Sequence, residues 1–399
     1  MTKFKFNTET LQESLANIEV AKMEGSKDTN NDFVAIKPSV QKINGKEGQY
    51  IKFSACNQGM QVDSFASCES ESGKLEEANT CFVPRRFIDA CKCIIEETIT
   101  LVFEETSVSL LDAHGNKVPF PVLNPENHIL TVPDVAECPD NHPLSKSVSF
   151  YVGLQTETLS DGLSTFGAIA GVKKLGEYTL DGIGCSIDPE AESLILMSSN
   201  GHVFRKGSVN YLKFNNYMDE DINFIIPQDV SAFIRVADRY EDSSVSIKVI
   251  GALLVVMINT TIAYFRLKQE SYVPASTFDS ILGGETMASC KVDSNEFLTK
   301  LKLMEVSASS DELVGNLLGV ELEIKGNSMC LKNPKSPKTK ISVKAEDCSG
   351  EETIFINGTE LGKLVPKEET LKFDICSVGK GGKALKVNGY HVMLPLSNN

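Results

Sequence analysis

Ser198, Ser199 and His202 lie close together in the sequence and come nearest of all its residues to catalytic chemistry. A serine hydroxyl beside a histidine base could attack a carbonyl carbon, as in a hydrolase. Such a site also needs a carboxylate that orients the histidine, and no paired carboxylate accompanies these residues. The GxSxG pattern is absent as well. A hydrolase is therefore a weak hypothesis.

Other reactive residue types form no pattern either. The HExxH motif is absent, and the eleven cysteines are scattered without a CxxC pair or a histidine at zinc-ligand spacing. The glycine-rich segment GKGGK at 379–383 lacks the full phosphate-binding pattern and predicts the tip of a β-hairpin. We therefore expect no catalytic residue, no metal and no cofactor.

Charge and hydropathy narrow the class of protein further. The net charge of −15 argues against a protein coated by nucleic acid, although a local basic surface remains compatible with it. The odd number of cysteines and the lack of a secretory signal peptide predict reduced thiols and a cytoplasmic protein. The longest apolar run, 253–258, is far shorter than the roughly 20 residues of a membrane span, so it predicts a buried strand and no membrane association.

The secondary-structure elements that would position any site recur three times along the sequence. A strand runs into an amphipathic helix in FKFNTETLQESL, FYVGLQTETLSDGL and SCKVDSNEFLTKL, which start at residues 4, 150 and 289. Leu11, Leu159 and Leu298 occupy the same place in this pattern, which gives steps of 159 − 11 = 148 and 298 − 159 = 139 residues. A repeat far longer than the roughly 20–50 residues of a solenoid unit should hold its own core. The sequence therefore predicts three similar domains.

Composition places the boundaries of these domains. Proline, aspartate and asparagine cluster at 136–146, and Gly283–Gly284 interrupts what we interpret as an apolar strand. The predicted domains are 1–140, 141–284 and 285–399. Each is expected to pack two helices on one face of a largely antiparallel sheet, which is an α+β architecture.

The second helix of each domain has an apolar and a basic face. Pro84 and Pro227 are predicted to begin two of these helices, because proline suits the first helical position. The side chains expected to face inward are Phe87, Ile88, Cys91, Ile95, Val230, Phe233, Ile234, Ala237, Leu361 and Leu364. The basic side chains expected on the opposite faces are Arg85, Lys92, Arg235, Arg239 and Lys363.

Five segments, in this order and on this triplicated background, carry a resemblance to a known family. They are LGEYTLDGIG (175–184), LILMSSNGHVF (194–204), INFIIPQDVSAFIRVAD (222–238), TIAYFRLKQESYVPASTFDSIL (261–282) and the C-terminal YHVMLPLSNN. The chain resembles the bacterial DNA polymerase III beta subunit, the replicative sliding clamp, as a divergent member. Asn200 and Val203 stand where that family usually has Asp and Arg around the histidine, and Glu360 stands where an aromatic residue is common.

The resemblance implies a fold, an assembly and partners. Two subunits would join head to tail into a ring of six similar domains that encircles duplex DNA without reading its sequence. The ring would tether a DNA polymerase III alpha-type polymerase, the clamp loader and other proteins that carry clamp-binding peptides. The DNA-facing residues expected on the helices and nearby loops are Lys22, Arg85, Lys92, Lys173, Lys174, Arg235, Arg239, Lys300 and Lys363.

The resemblance also implies an apolar cleft for partner peptides and a joint between subunits. The cleft is expected to use Leu180, Gly201, His202, Phe204, Pro274, Ile281, Met393, Leu394, Pro395 and Leu396. The dimer interface is expected to use Phe120, Val122, Met304 and Val306, all of which could equally belong to a domain core. The rival hypotheses are a clamp-like scaffold that binds partner peptides without encircling DNA, and the hydrolase considered above.

Overall fold

The computed structural model describes residues 1–21, 32–43, 46–57, 59–73, 80–124, 126, 148–171, 174–217, 222–240, 243–268, 270–307, 318–365, 368–379, 381–389 and 391–395. These residues form two compact units. Unit 1 consists of Met1–Ser160, Asn210–Ile222 and Asp229–Gln269, and unit 2 consists of Asp161–Val209, Asn223–Gln228 and Glu270–Asn399. The predicted boundary at 136–146 lies outside the described residues.

The α-helices are short and several begin at a polar cap. They are α1 Thr8–Ile18, α2 Arg86–Lys92, α3 Thr156–Gly167, α4 Asp229–Ile234, α5 Ala275–Leu282, α6 Ser294–Ser307 and α7 Gly358–Leu364, with 3-10 helices at Glu19–Ala21 and Arg235–Arg239. Asn7 and Asn357 each accept a hydrogen bond at 3.1 Å from a backbone N–H in the first turn of α1 and α7. These caps satisfy N–H groups that have no partner within the helix. Among the described residues, no helix is long and apolar enough to cross a membrane.

Unit 1 is built on a five-stranded and a nine-stranded sheet. The strands, numbered in chain order, are β1 Thr2–Asn7, β2 Phe33–Ile43, β3 Lys46–Cys56, β4 Met60–Ser67, β5 Glu69–Ser72, β6 Cys81–Pro84, β7 Thr98–Phe103, β8 Ser107–Leu111, β9 Lys117–Pro121, β10 Val148–Gln155, β16 Lys213–Asn216, β18 Ser244–Ile250, β19 Leu253–Ile258 and β20 Thr261–Arg266. The orders are β5-β1-β7-β8-β9 and β16-β10-β18-β19-β20-β4-β3-β2-β6. The antiparallel pair β4–β20 joins strands that are far apart in sequence.

Unit 2 has a nine-stranded sheet, a four-stranded sheet and a short hairpin. Its strands are β11 Lys174–Leu175, β12 Tyr178–Thr179, β13 Ile183–Asp188, β14 Ser193–Ser199, β15 Val203–Asn210, β17 Asn223–Ile226, β21 Thr286–Asp293, β22 Gly319–Lys325, β23 Ser328–Asn333, β24 Ser336–Lys344, β25 Glu346–Ser349, β26 Glu352–Asn357, β27 Thr370–Val378, β28 Gly382–Val387 and β29 His391–Met393. The orders are β17-β13-β14-β15-β29-β28-β27-β21-β25, β24-β23-β22-β26 and β11-β12. The antiparallel pair β15–β29 again joins distant parts of the chain.

The triplicated pattern of the sequence is confirmed as a succession of elements. A strand leads directly into a helix at β1–α1, β10–α3 and β21–α6, and again at β6–α2, β17–α4 and β26–α7. The predicted strand at 253–258 is β19, and the predicted hairpin tip lies between β27 and β28. The α+β fold predicted from the sequence is therefore present, while the three domain boundaries remain a prediction.

The predicted apolar helix faces form the core, with one exception. In unit 1, Val230, Phe233 and Ile234 are buried, and Phe233 packs edge-on against Phe265 with ring centroids 6.4 Å apart. In unit 2, Leu361 and Leu364 are buried as expected. Burying each such side chain stabilises the fold by roughly 1.5–3 kcal/mol.

Ile95 is the exception, and its predicted inward position is wrong. The side chain is 93% exposed because α2 ends at Lys92, where the N–H of Cys93 donates to the Ala90 carbonyl and the N–H of Ile94 donates to the Cys91 carbonyl. The residue therefore lies beyond the helical face on which the periodic pattern had placed it.

The predicted helix starts at Pro84 and Pro227 are also wrong. Pro84 is the last residue of β6, an edge strand in which a missing N–H costs no ladder bond, and α2 begins at Arg86. The helix predicted to begin at Pro227 is α4, which begins at Asp229, after the edge strand β17. The apolar segment before Gly283 is the helix α5, whereas the sequence had indicated a strand.

Candidate functional site

Several predicted cleft residues converge on one apolar cluster in unit 2. Leu180 and Phe204 belong to its buried part, and Ile281 and Leu394 pack against it half-buried. Phe204 meets Phe278 of α5 edge-on, with ring centroids 5.5 Å apart. Further buried members of the apolar cluster are Met197, Val273, Ala384 and Val392. The structure thus brings together side chains from four distant segments of the chain.

Strand pairing places Val392 and Leu394 in the apolar cluster. Phe204 and Val203 of β15 lie opposite Val392 and Met393 of β29. Beyond the strand, the backbone N–H of Leu394 donates to the carbonyl oxygen of His202 at 2.8 Å. The pairing therefore fixes Leu394 beside the residues that precede β15.

A tight turn at residues 199–203, here called the His202 turn, forms one rim of the apolar cluster. Gly201 has a φ of +91°, a backbone conformation that favours glycine. The Asn200 side-chain oxygen accepts hydrogen bonds from the N–H groups of His202 at 3.0 Å and Val203 at 2.9 Å. Asparagine suits such a turn because its side chain replaces missing backbone partners. Asn200 also donates to Glu360 of α7 at 3.4 Å.

The predicted cleft residues divide into a floor and a rim. Leu180 and Phe204 are at most 3% exposed and form the floor, whereas Met393 does not belong to this cluster: it is buried with Val203 in another core cluster of unit 2. The rim is formed by half-buried Gly201, Ile281 and Leu394 and by exposed His202, Pro274 and Pro395. Leu396 lies outside the described residues. A buried apolar floor beside an exposed rim suits an extended peptide that inserts apolar side chains.

Tyr272 is a residue of this site that sequence reasoning missed. Its phenol oxygen accepts a hydrogen bond from the backbone N–H of Ser199 at 3.1 Å, and its ring packs against the apolar cluster. Burial raises the pKa of Tyr272 well above that of a free tyrosine, so the phenol stays protonated. No spacing pattern in the sequence connects residue 272 with residue 199, so only the folded chain reveals the contact.

The hydrolase hypothesis finds no support in this geometry. Ser198 and Ser199 are completely buried, so neither hydroxyl is open to a substrate. The hydroxyl oxygen of Ser199 accepts a hydrogen bond from the N–H of Gly201 at 2.9 Å. Among the described residues, no group of three or more His, Cys, Asp or Glu side chains could hold a metal ion.

His391 is the first residue of β29. It is completely buried and pairs in register with Arg205 of β15. Burial, together with the positive charge of Arg205, lowers the pKa of His391 to about 3. Arg205 itself donates to the carbonyl of Thr165 at 2.8 Å and lies over the Phe166 ring, 5.0 Å from its centroid.

Three predicted DNA-facing residues of unit 1 meet at the C-terminal end of α1. Arg85 donates to the Glu19 carbonyl at 3.2 Å, and Lys92 forms an ion pair with the Glu19 carboxylate at 2.6 Å. Arg239 donates to the side chain of Asn17. Positive charge is favoured at this end of a helix because the carbonyls there carry partial negative charge. Arg235 is exposed on the 3-10 helix after α4.

The predicted DNA-facing lysines of unit 2 that the structure describes each have a glutamate partner. Lys174 pairs with Glu270 at 2.5 Å, Lys363 pairs with Glu360 at 3.2 Å, and Lys300 pairs with Glu296. Lys300 donates in addition to the Ser342 carbonyl at 2.6 Å. Lys22 and Lys173 lie outside the described residues. The described lysines therefore carry a largely compensated charge.

The predicted interface residues differ strongly in exposure. Phe120 and Met304 are 5% and 0% exposed, and Phe120 packs edge-on against Phe87 at 5.4 Å. Val122 is half-buried, whereas Val306 on α6 is 73% exposed. Other exposed apolar side chains are Ile95, Val118 of β9 and Leu303 of α6.

Comparison with solved structures identifies this arrangement of elements. A sliding clamp of Pseudomonas aeruginosa matches with a TM-score of 0.75 and 14% identity, and the DNA polymerase III beta subunit of Thermotoga maritima with 0.72 and 15%; each match covers 100% of both chains. The chain has the fold of the bacterial beta sliding clamp. A third beta clamp, from Helicobacter pylori and bound to a DNA ligase peptide, matches with a TM-score of 0.70 and 15% identity over 99% of this chain and 100% of its own.

The sliding-clamp fold is visible in the structure and not in whole-sequence comparison. No protein-family model matches the sequence, and no curated protein matches it. Full coverage of the fold at such low sequence identity is consistent with a divergent sliding clamp.

Proposed function

We propose that the protein is a DNA sliding clamp, a cytoplasmic homodimer that encircles duplex DNA and holds a DNA polymerase III alpha-type polymerase on it. The proposal rests chiefly on one observation. The clamp fold extends over the entire chain, and exposed apolar side chains remain on both its first and its last predicted domain. These are Ile95 and Val118 in the first domain and Leu303 and Val306 in the last. A head-to-tail dimer would cover both sets.

The apolar cluster supplies the second part of the proposal, the site for partner proteins. An extended peptide would place Leu or Phe side chains over Leu180 and Phe204, and its backbone would pass the His202 turn and Leu394. The polymerase, the clamp loader and other partners would share this site through similar peptides. Val203 replaces the arginine expected there, so the peptide gains affinity from apolar anchors more than from charge.

The compensated lysines suit a protein that must move along DNA. Each phosphate contact adds salt-dependent affinity, and many such contacts would slow sliding. A glutamate partner weakens the attraction of each of these lysines for phosphate. The net charge of −15 disfavours binding of stray DNA to the exterior. Retention on DNA would then depend on the closed ring and not on affinity.

The solution mass tests the proposal. Light scattering behind a sizing column, across a dilution series, should give a stable mass of twice 43.6 kDa. A chain that stays monomeric at every concentration would contradict the closed homodimeric ring.

The same glutamate partners favour one alternative, a scaffold that binds partner peptides without encircling DNA. Of the predicted DNA-facing residues described, Lys92, Lys174, Lys300 and Lys363 all pair with Glu. A monomer that still binds a clamp-type peptide would support this second function.

A further inference from the structure

We propose that Tyr272 is a positioning residue for peptide binding, which holds the His202 turn in the shape that forms the cleft rim. The proposal rests on the proposed peptide site and adds to it a residue that contacts no peptide itself. Three observations carry it: the backbone anchor of Tyr272, the space provided for its ring, and the contact of its hydroxyl.

The backbone of Tyr272 is anchored next to the cleft floor. Tyr272 forms an isolated parallel bridge with Thr179, and the N–H of Thr179 donates to the Ser271 carbonyl at 3.0 Å. Leu180, the floor residue, directly follows Thr179. The backbone of Tyr272 is therefore held at one wall of the cleft.

The ring of Tyr272 crosses β13 over a glycine. A Cβ at Gly184 would collide with the ring carbons, so the ring can lie flat on the strand only because residue 184 has no side chain. Gly184 pairs with Met197 of β14, the strand that ends at Ser199. The path over Gly184 leads the phenol to the first residue of the His202 turn.

The hydroxyl of Tyr272 then fixes the turn through Ser199. It accepts the Ser199 N–H at 3.1 Å, and the Ser199 hydroxyl in turn accepts the Gly201 N–H. Ser199 is completely buried, so without the phenol its N–H would have no water to replace the lost partner. Loss of the hydroxyl should therefore release the rim while the apolar floor remains in place.

The test compares Tyr272→Phe with Tyr217→Phe. Both variants remove one phenol hydroxyl, but Tyr272 contacts the turn, whereas Tyr217 is 64% exposed and does not belong to the apolar cluster. The probe is a fluorescein-labelled extended peptide with Leu and Phe anchors, titrated by anisotropy. Tyr272→Phe should weaken its binding about fivefold to tenfold, the change that one ordinary hydrogen bond corresponds to, and Tyr217→Phe should leave it unchanged.

Amide hydrogen exchange provides a readout that a general loss of structure would not mimic. Exchange at residues 199–203 should accelerate in Tyr272→Phe while the amides of β13 and of residues 193–198 of β14 keep their protection. Equal affinity of Tyr272→Phe and the unmodified chain, or equal losses in both variants, would overturn the proposal. If Tyr272→Phe does not fold, a rapidly exchanging Ser199 amide in the unmodified chain would overturn it instead. If the unmodified chain binds no peptide, the proposed function fails, and the exchange arm still tests the positioning of the turn.

Discussion

His391 shows how a single buried residue ties the stability of the chain to pH. Its imidazole is neutral in the folded chain because burial and the Arg205 charge lower its pKa from 6.5 to about 3. Below pH 6.5 the unfolded chain binds a proton at this position and the folded chain does not. The stability is therefore complete above pH 6.5 and is lost as the pH falls from 6.5 towards 3.

Replacing His391 with glutamine should flatten this pH dependence. Between pH 6.5 and pH 5 the histidine accounts for about 2 kcal/mol of lost unfolding free energy, which the variant should not lose. Urea unfolding at a series of pH values measures the difference. His202→Gln serves as the control, because His202 is exposed. Parallel pH profiles for His391→Gln and the unmodified chain would contradict the assignment.

Residue types and local periodicity predicted the core better than the site. Phe233 and Leu361 were placed correctly because helical spacing alone decides which side faces inward. Tyr272 was missed because its role arises from a contact between segments more than seventy residues apart, together with a glycine on a third segment. Phe120 and Met304 could not be separated from the exposed Val306, because all three are apolar and only packing distinguishes them.

At the scale of elements, β29 and the residues after it combine a structural role, the pairing with β15, with a proposed role in peptide binding. The strand has three residues and closes the β15–β29 pair, and the next residue, Leu394, already belongs to the proposed cleft. The order of these elements was predictable from the repeat, but the helix starts were not. Pro84 is compatible with an edge strand as well as with the first turn of a helix, because both positions tolerate a missing N–H.

Deletion of Leu394 to Asn399 should abolish binding of a clamp-type peptide and leave the dimer intact. The deletion removes rim residues but leaves the whole of β29, so the pairing with β15 persists. Anisotropy titration measures the peptide, and light scattering measures the dimer. The matched control deletes only residues 397–399, which spares every predicted cleft residue. Unchanged peptide affinity after the longer deletion would remove the cleft from the proposed function.

At the scale of the whole molecule, closure of the proposed ring depends on exposed apolar side chains. Val306→Asp should convert the dimer into a monomer, because it places a charge where the proposed joint excludes water. Leu212→Asp is the matched control, since Leu212 is 59% exposed and lies outside the proposed joint. Light scattering should show a mass near 43.6 kDa for the first variant alone. A dimeric Val306→Asp would place the joint elsewhere.

The long-range pair β4–β20 has a consequence for synthesis of the chain. The ribosome completes β4 at Ser67 and begins β20 at Thr261, so 261 − 67 = 194 residues separate the two partners. At roughly 5–20 residues per second, β4 waits about 10–40 s as an open sheet edge, the kind of edge to which other nascent chains can add. Asp63 of β4, which forms an ion pair with Lys52 at 3.6 Å, places a charge on this strand, and charges on edge strands oppose such addition. A polar pair in the middle of the finished nine-stranded sheet thus protects the chain while half of that sheet has yet to be translated.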